Sequence, residues 1–359
     1  MDGQYSRLGT ALDAGSRRGA VAATSYPAAI ALRQHGKIMH PHLWSAALTD
    51  PLLADFERFI ERSLANPGIS RHVQAAGIRM HYLEWPGPDS APPLLLLHGY
   101  LAHAHWWDFV APWLATHHRV IAADFGGMGD SAHRPEYSYA QFNAEITAII
   151  EATGIHGCIG IGHSFGGRAL LHACHARPEL FARAIVVDSR LGSPADPVRG
   201  FDEEWRPKKR YADQATILQR FLLRPLEPAP AAALDHMGRH SITCEADGQW
   251  TWKFDENVTR VFQQRREDPH FIDDVQELAG LRTPVDFIYG EDSRVVTPQR
   301  AALLAGCLPD VRSVTGIPAS HHHLPVSQPI ALVAVMRALL ATSRCGGSPS
   351  SRPTTQRSR

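Results

Sequence analysis

Cysteine is scarce in this chain of 359 residues. The five cysteines, Cys158, Cys174, Cys244, Cys307 and Cys345, contain no C-x-x-C pair. A sparse, odd set excludes a disulfide framework and points to free thiols in a reducing, cytoplasmic setting. Long hydrophobic runs are missing as well. Apolar stretches such as Leu94 to Leu97 are far too short to span a bilayer. The start, Met-Asp-Gly-Gln, lacks a charged segment followed by an apolar core, so no secretory signal is expected. Neither sign of charge is in excess: Lys+Arg and Asp+Glu are both 36. That balance argues against nucleic acid or an anionic membrane surface as a partner and leaves a small molecule. Nothing marks the oligomeric state. The rest is ordinary for a globular protein, with 44% hydrophobic and 20% charged residues, enough for one large domain or two small ones.

Residues 1–70 are Ala-rich with scattered Arg and read as an N-terminal extension, partly helical or disordered. Its clearest helical pattern places Leu53, Phe56, Ile60 and Leu64 on one face. The tail, 343–359, is low-complexity and reads as disordered. Between these ends, apolar strands alternate with helices over 71–191 and 276–342. Strands without strict polar alternation, separated by helices, predict a mostly parallel sheet covered on both faces. Residues 192–275 break the rhythm with aromatic and charged clusters, and they predict a helical cap inserted over the sheet's C-terminal edge.

One stretch carries the chemistry. Cys158 to Gly162 is an apolar run, Gly162-His163-Ser164-Phe165-Gly166 follows, and a helical pattern begins at once. This is a strand, a sharp turn and a helix with a serine at the apex. Small residues must flank such a turn, and the backbone N–H of Phe165 then points at whatever Ser164 attacks. A second oxyanion donor is expected after Leu94-Leu95-Leu96-Leu97-His98-Gly99, at the N–H of Tyr100. A base must be able to reach Ser164, and His321, His322 and His323 all compete for that role. No carboxylate or cysteine set lies beside them in sequence, so no metal is expected there. The acid that orients the base comes from Asp188 or from Asp292, each following an apolar strand.

Together these segments resemble the α/β-hydrolase superfamily, in its cap-bearing, serine esterase-like branch. The resemblance covers roughly residues 71–342. It rests on Leu97-His98-Gly99, then Asp124-Phe125-Gly126-Gly127-Met128-Gly129-Asp130-Ser131, then the serine turn, Asp188, Tyr289-Gly290-Glu291 and the histidine segment. It implies an α/β-hydrolase fold with a mostly parallel central sheet flanked by helices and an inserted helical cap. In this family the histidine usually lies seven residues before a proline that opens the last helix, which selects His322 from Pro329. The family usually places its acid three residues after the glycine ending the seventh strand, but that position holds Ser293. Members resembling the haloalkane dehalogenases and zearalenone-type lactonases place it at the end of the sixth strand, which favours Asp188 over Asp292.

The implied activity is hydrolysis of a carboxylic ester or lactone through an acyl-enzyme, with no cofactor. His98, Gly99, His163, Trp107, Trp250 and Trp252 are candidate pocket residues, and they suggest a small apolar or aromatic substrate. Two alternatives stay open: a hydrolase of carbon–carbon bonds in ring-cleavage products, and a non-catalytic ligand-binding member of the fold.

Overall fold

The computed structural model describes residues 32–34, 37–38, 56–192, 207–267 and 273–342. In chain order the strands are β1 (Leu32–Gln34), β2 (Lys37–Ile38), β3 (Ile69–Ala75), β4 (Ile78–Trp85), β5 (Leu94–Leu97), β6 (Val120–Ala123), β7 (Cys158–His163), β8 (Phe181–Val187), β9 (Ile242–Cys244), β10 (Trp250–Trp252), β11 (Val285–Gly290) and β12 (Val311–Ile317). Ten of these form one sheet in the order β2-β1-β12-β11-β8-β7-β5-β6-β4-β3. Its interior pairs, from β6 through β12, are parallel, and the pairs towards both edges are antiparallel.

The composition of β5 explains its central place. All four leucines are buried. Successive side chains of a strand point to opposite faces. Leu94 and Leu96 therefore enter one apolar core with Val120, Ile161 and Val187, while Leu95 and Leu97 enter another with Ile121, Val186 and Phe165. Burying each such side chain contributes roughly 1.5–3 kcal/mol, so a strand without polar alternation is stable only with both faces covered. One covering helix, Tyr139–Thr153, has clear ends: the Ser138 side chain accepts from the Gln141 N–H, and Gly154 closes it at φ +70°.

Two expected boundaries need correction. Residues 1–70 are not wholly an extension. Helix Phe56–Leu64 packs on the body, with Phe59 fully buried and stacked 4.6 Å from Trp113. The Trp113 Nε1–H donates to Ser63 Oγ at 2.7 Å. Strand β3 begins at Ile69, so the boundary at 70 falls inside it. This edge strand is largely exposed and polar, which hid it in the sequence. The segment expected to be a helical cap is mixed. It holds helices Gln214–Leu218, Ala231–His240 and Glu256–Glu267 together with a hairpin of β9 and β10, separate from the main sheet. Trp250-Thr251-Trp252 is a strand because alternating aromatic and β-branched residues favour one, and Gly248 at φ +84° lies in the turn before it. The tail 343–359 lies outside the described residues. No described helix is long and apolar enough to cross a membrane.

Candidate active site

Strand β7 delivers Ser164 to the edge of a cavity. The serine stands between β7 and helix Phe165–Ala176 at φ +53°, ψ −118°, a region that non-glycine residues rarely enter. Such a conformation costs on the order of 1–3 kcal/mol and persists only where its surroundings enforce it. Here the Ser164 N–H donates to the Val187 carbonyl at 2.9 Å. Close packing does the rest. A Cβ on Gly162 would sit 2.5 Å from the Gly166 oxygen, and one on Gly166 would sit 2.5 Å from the His98 oxygen. Only glycine lets these backbones pass, which is why the serine is flanked as it is.

The end of β8 places a carboxylate beside His322. Asp188 adopts φ +45° directly after the strand and is 1% exposed. Its Oδ1 lies 2.8 Å from His322 Nδ1. The same oxygen accepts from the Ser293 hydroxyl at 2.7 Å, and Oδ2 accepts from the Gly290 N–H at 2.9 Å. Asp292 is exposed, and its backbone carbonyl, not its carboxylate, meets the His321 ring. Of the two candidate acids, the structure brings only Asp188 to His322.

Burial dominates the electrostatics of this pair. It pushes His322 down to about 3, with the neighbouring His323 adding to the shift and Glu227 opposing it. The imidazole is thus neutral at physiological pH. Burial also pushes the Asp188 carboxyl up, to about 8, against the donors of Gly290 and Ser293. A desolvated carboxylate of this kind gains strongly when its imidazole partner takes up a proton.

Both backbone groups of His322 are held. Its N–H donates to Glu227 Oε2 at 3.0 Å, and its carbonyl accepts from His163 Nε2 at 2.9 Å. Glu227 also accepts the His323 N–H at 2.8 Å and lies 3.0 Å from His323 Nδ1. Glu227 comes from the segment inserted between β8 and β11, which thereby grips the histidine loop. Burial works against its charge, yet the His323 ring and N–H hold it below the ordinary carboxylate range. His98 braces the opposite loop: its Nδ1–H donates to the Gly99 carbonyl at 2.7 Å, and Nε2 accepts from the Phe125 N–H at 3.2 Å.

Ser164 and His322 open on one cavity of about 520 Å³. Gly99, Tyr100, His163 and Trp106 line it on one side, and Phe221, Leu222 and Trp252 of the segment between β8 and β11 on the other. Arg220, Arg224 and Lys253 also line that second side, Lys253 paired with Asp130 at 2.7 Å.

A family profile described as the alpha/beta hydrolase fold matches residues 92–326. The chain belongs to the α/β-hydrolase family. It is 29% identical to an esterase of Mycobacterium tuberculosis over 287 residues, covering 77% of this chain and 90% of that one. The crystal structure of that esterase superposes with a TM-score of 0.63 at 23% identity, covering 81% of this chain and 97% of the other. A mouse sn-1-specific diacylglycerol lipase is 24% identical over 68% of this chain and 79% of its own length. The crystal structure of E-2-(acetamidomethylene)succinate hydrolase matches with a TM-score of 0.63 at 21% identity, over 76% of this chain and 99% of that one.

Within this α/β-hydrolase, some expected pocket residues lie elsewhere. Trp107 is fully buried in the core, and its neighbour Trp106 lines the cavity instead. The chain there is a short 3-10 helix, Ala104–Trp107, so adjacent residues face different ways. Trp250 pairs across the hairpin and bridges Tyr211, which lines the cavity, but is not itself on its wall, whereas Trp252 is. His98 sits beneath the cavity wall as a brace. The sequence reading missed Glu227, which stands in a Leu-Glu-Pro context with no periodic signal. It also missed what Ser293 does: the serine at the family's usual acid position hydrogen-bonds Asp188 at the end of the neighbouring strand. The Asp124 loop is structural. Asp124 accepts from the N–H groups of Ala104 and Asp130 and meets His81 Nδ1 at 2.7 Å.

Proposed function

We propose that this chain is a serine hydrolase that cleaves a carboxylic ester or lactone through an acyl-enzyme. The observation that carries the reading is the His322 Nδ1–Asp188 Oδ1 contact at 2.8 Å, opening on the same cavity as the strained Ser164. With Nδ1–H directed at Asp188, Nε2 is the basic nitrogen. It takes the Ser164 proton as Oγ attacks the carbonyl carbon. The alkoxide that develops faces the backbone N–H groups of Phe165 and Tyr100, and each such donor is worth roughly 3 kcal/mol to a transition state. His322 then returns the proton to the leaving alcohol, and water attacks the acyl-enzyme through the same imidazole.

Phe221, Leu222 and Trp252 suit an apolar or aromatic substrate body. Arg220 on the same wall gives an acidic group at its far end a partner, which the neutral overall charge did not suggest, whereas Lys253 is already paired with Asp130. The relatives' esterase and lipase activities support ester cleavage. The test is a panel of p-nitrophenyl esters and lactones, with and without a terminal carboxylate, alongside fluorophosphonate labelling. Wild type should label at Ser164 and turn over esters, and Ser164→Ala should do neither. Labelling without turnover of any ester or lactone would move the reading to carbon–carbon bond hydrolysis. No labelling at all would favour a ligand-binding member of the fold.

A further inference from the structure

Behind the cavity wall, three histidines and an aspartate converge from two parts of the chain. His105 lies in the short helix Ala104–Trp107, and Asp108 caps its end. His236 and His240 project from one face of the cap helix Ala231–His240, four residues apart. One ligand atom from each of the four lies within 4.8 Å of all the others. Asp108 Oδ2 is 2.8 Å from His105 Nδ1 and 2.8 Å from His236 Nε2. The His105 and His240 rings stack with centroids 3.5 Å apart.

Hydrogen bonding to Asp108 accounts for two of these imidazoles but not for the third. His240 stacks on His105 instead of hydrogen-bonding the carboxylate. Asp108 is 6% exposed, and its Oδ1 is buried with no hydrogen-bond partner. A buried carboxylate oxygen left in this state costs free energy that a partner would recover. Two other groupings in the molecule differ. At His81, Asp124 and Asp130, backbone N–H groups already occupy the Asp124 oxygens. At His172, Asp274 and Glu277, the Arg168 guanidinium already supplies the cation to Asp274.

We propose that His105, Asp108, His236 and His240 form a binding site for a divalent transition-metal ion of the zinc class, tying the cap helix to the core. Three imidazoles and one carboxylate are a four-coordinate set that suits zinc, whereas calcium and magnesium prefer six or more oxygens. Metal–ligand bonds of about 2.0–2.1 Å place tetrahedral neighbours about 3.3 Å apart. The close pairs need to open by about half an ångström and the widest to close, which rotation of half-buried imidazoles supplies. A closed set of four protein ligands makes the ion structural. It would anchor the helix whose following residue, Ser241, lines the cavity and meets His103 Nε2 at 2.9 Å.

The test uses the full chain without an affinity tag, stripped with chelator and titrated with zinc or cobalt. Native mass spectrometry should find one zinc per chain, and the cobalt form should show the intense visible band of four-coordinate cobalt. His236→Ala combined with His240→Ala should weaken binding by about 100-fold or more, since even outer-shell partners of a metal site carry 10–100-fold. If that variant fails to fold, wild type still decides: zinc should protect His105, His236 and His240 from diethylpyrocarbonate. No zinc uptake by wild type, unchanged affinity in a folded double variant, or protection confined to His321–His323 would each overturn the proposal.

Discussion

Replacing Asp188 by asparagine tests the active-site reading most sharply, because the surrounding donors decide which way the new amide turns. The two carboxylate oxygens face different partners. Oδ2 accepts from the Gly290 N–H, which is fixed in the backbone of β11, and Oδ1 faces the Ser293 hydroxyl and His322 Nδ1. An amide nitrogen placed against Gly290 would oppose two donors that cannot rotate, at a cost of about 1–3 kcal/mol. Placed against Ser293 it meets a hydroxyl that can swing. The amide oxygen therefore goes to Gly290 and the amide nitrogen to His322. Nδ1 must then accept, the ring proton moves to Nε2, and Nε2 can no longer take the Ser164 proton. Loss of the working tautomer typically lowers turnover about 10⁴-fold, or roughly 5.5 kcal/mol at 1.36 kcal/mol per decade. Steady-state hydrolysis of the best p-nitrophenyl ester measures it, with Asp292→Asn as the comparison, expected to lose little. The fold should survive. Burial raises the Asp188 carboxyl to about 8, so its ionisation opposes folding as pH rises from the unfolded-chain value of about 4 towards 8. Between about pH 6.5 and 8, with His322 already neutral, urea midpoints should fall more for wild type than for Asp188→Asn. Retention of more than a tenth of wild-type turnover, or a larger loss in Asp292→Asn, would refute the reasoning.

Other outcomes follow from the same geometry. Separate alanine substitutions at His321, His322 and His323 should give one severe loss, at His322, of order 10⁴–10⁶ in rate, with Ser164→Ala equally severe; equal mild losses at all three would remove His322 from the role of base. Because burial holds His322 down, the neutral imidazole persists into acid. The acid limb of kcat/KM should therefore lie away from the ordinary histidine value of about 6.5, below it where the His322 imidazole sets the limb and towards 8 where ionisation of the Asp188 carboxyl does, and a limb at 6.5 would contradict the burial argument. Glu227→Gln leaves the N–H groups of His322 and His323 sharing one neutral acceptor. A stability loss of about 1.5–3 kcal/mol is expected by thermal melting, with lowered kcat, whereas an unchanged melt and kcat would show that the cap contact is idle. Phe59→Ala empties a fully buried site against Trp113 and should cost about 3–5 kcal/mol in urea unfolding; a negligible loss would return residues 56–64 to the status of an extension.

Local spacing alone specifies much of this protein. The apolar strands, the glycine-flanked serine turn and the alternation with helices depend on residues near one another in sequence, and periodicity reports such neighbours. The pairing of Asp188 with His322 was legible only as a choice between two strand ends. Sheet order decided it: β8 lies beside both β7 and β11, and the resulting junction directs the Asp188 carboxylate to His322 and Ser293 while Asp292 faces water. Edge strand β3 and the β9–β10 hairpin were hidden, since short or half-exposed strands carry little apolar signal. Glu227 left no trace in the sequence. Its partners, the N–H groups of His322 and His323, lie some 95 residues away along the chain, and no local pattern encodes a contact that only folding brings together. The same holds for His105 and Asp108 against His236 and His240. Chain neighbours determine the type of each element, but the burial, charge and donor set around a side chain come from residues that only the folded chain brings together.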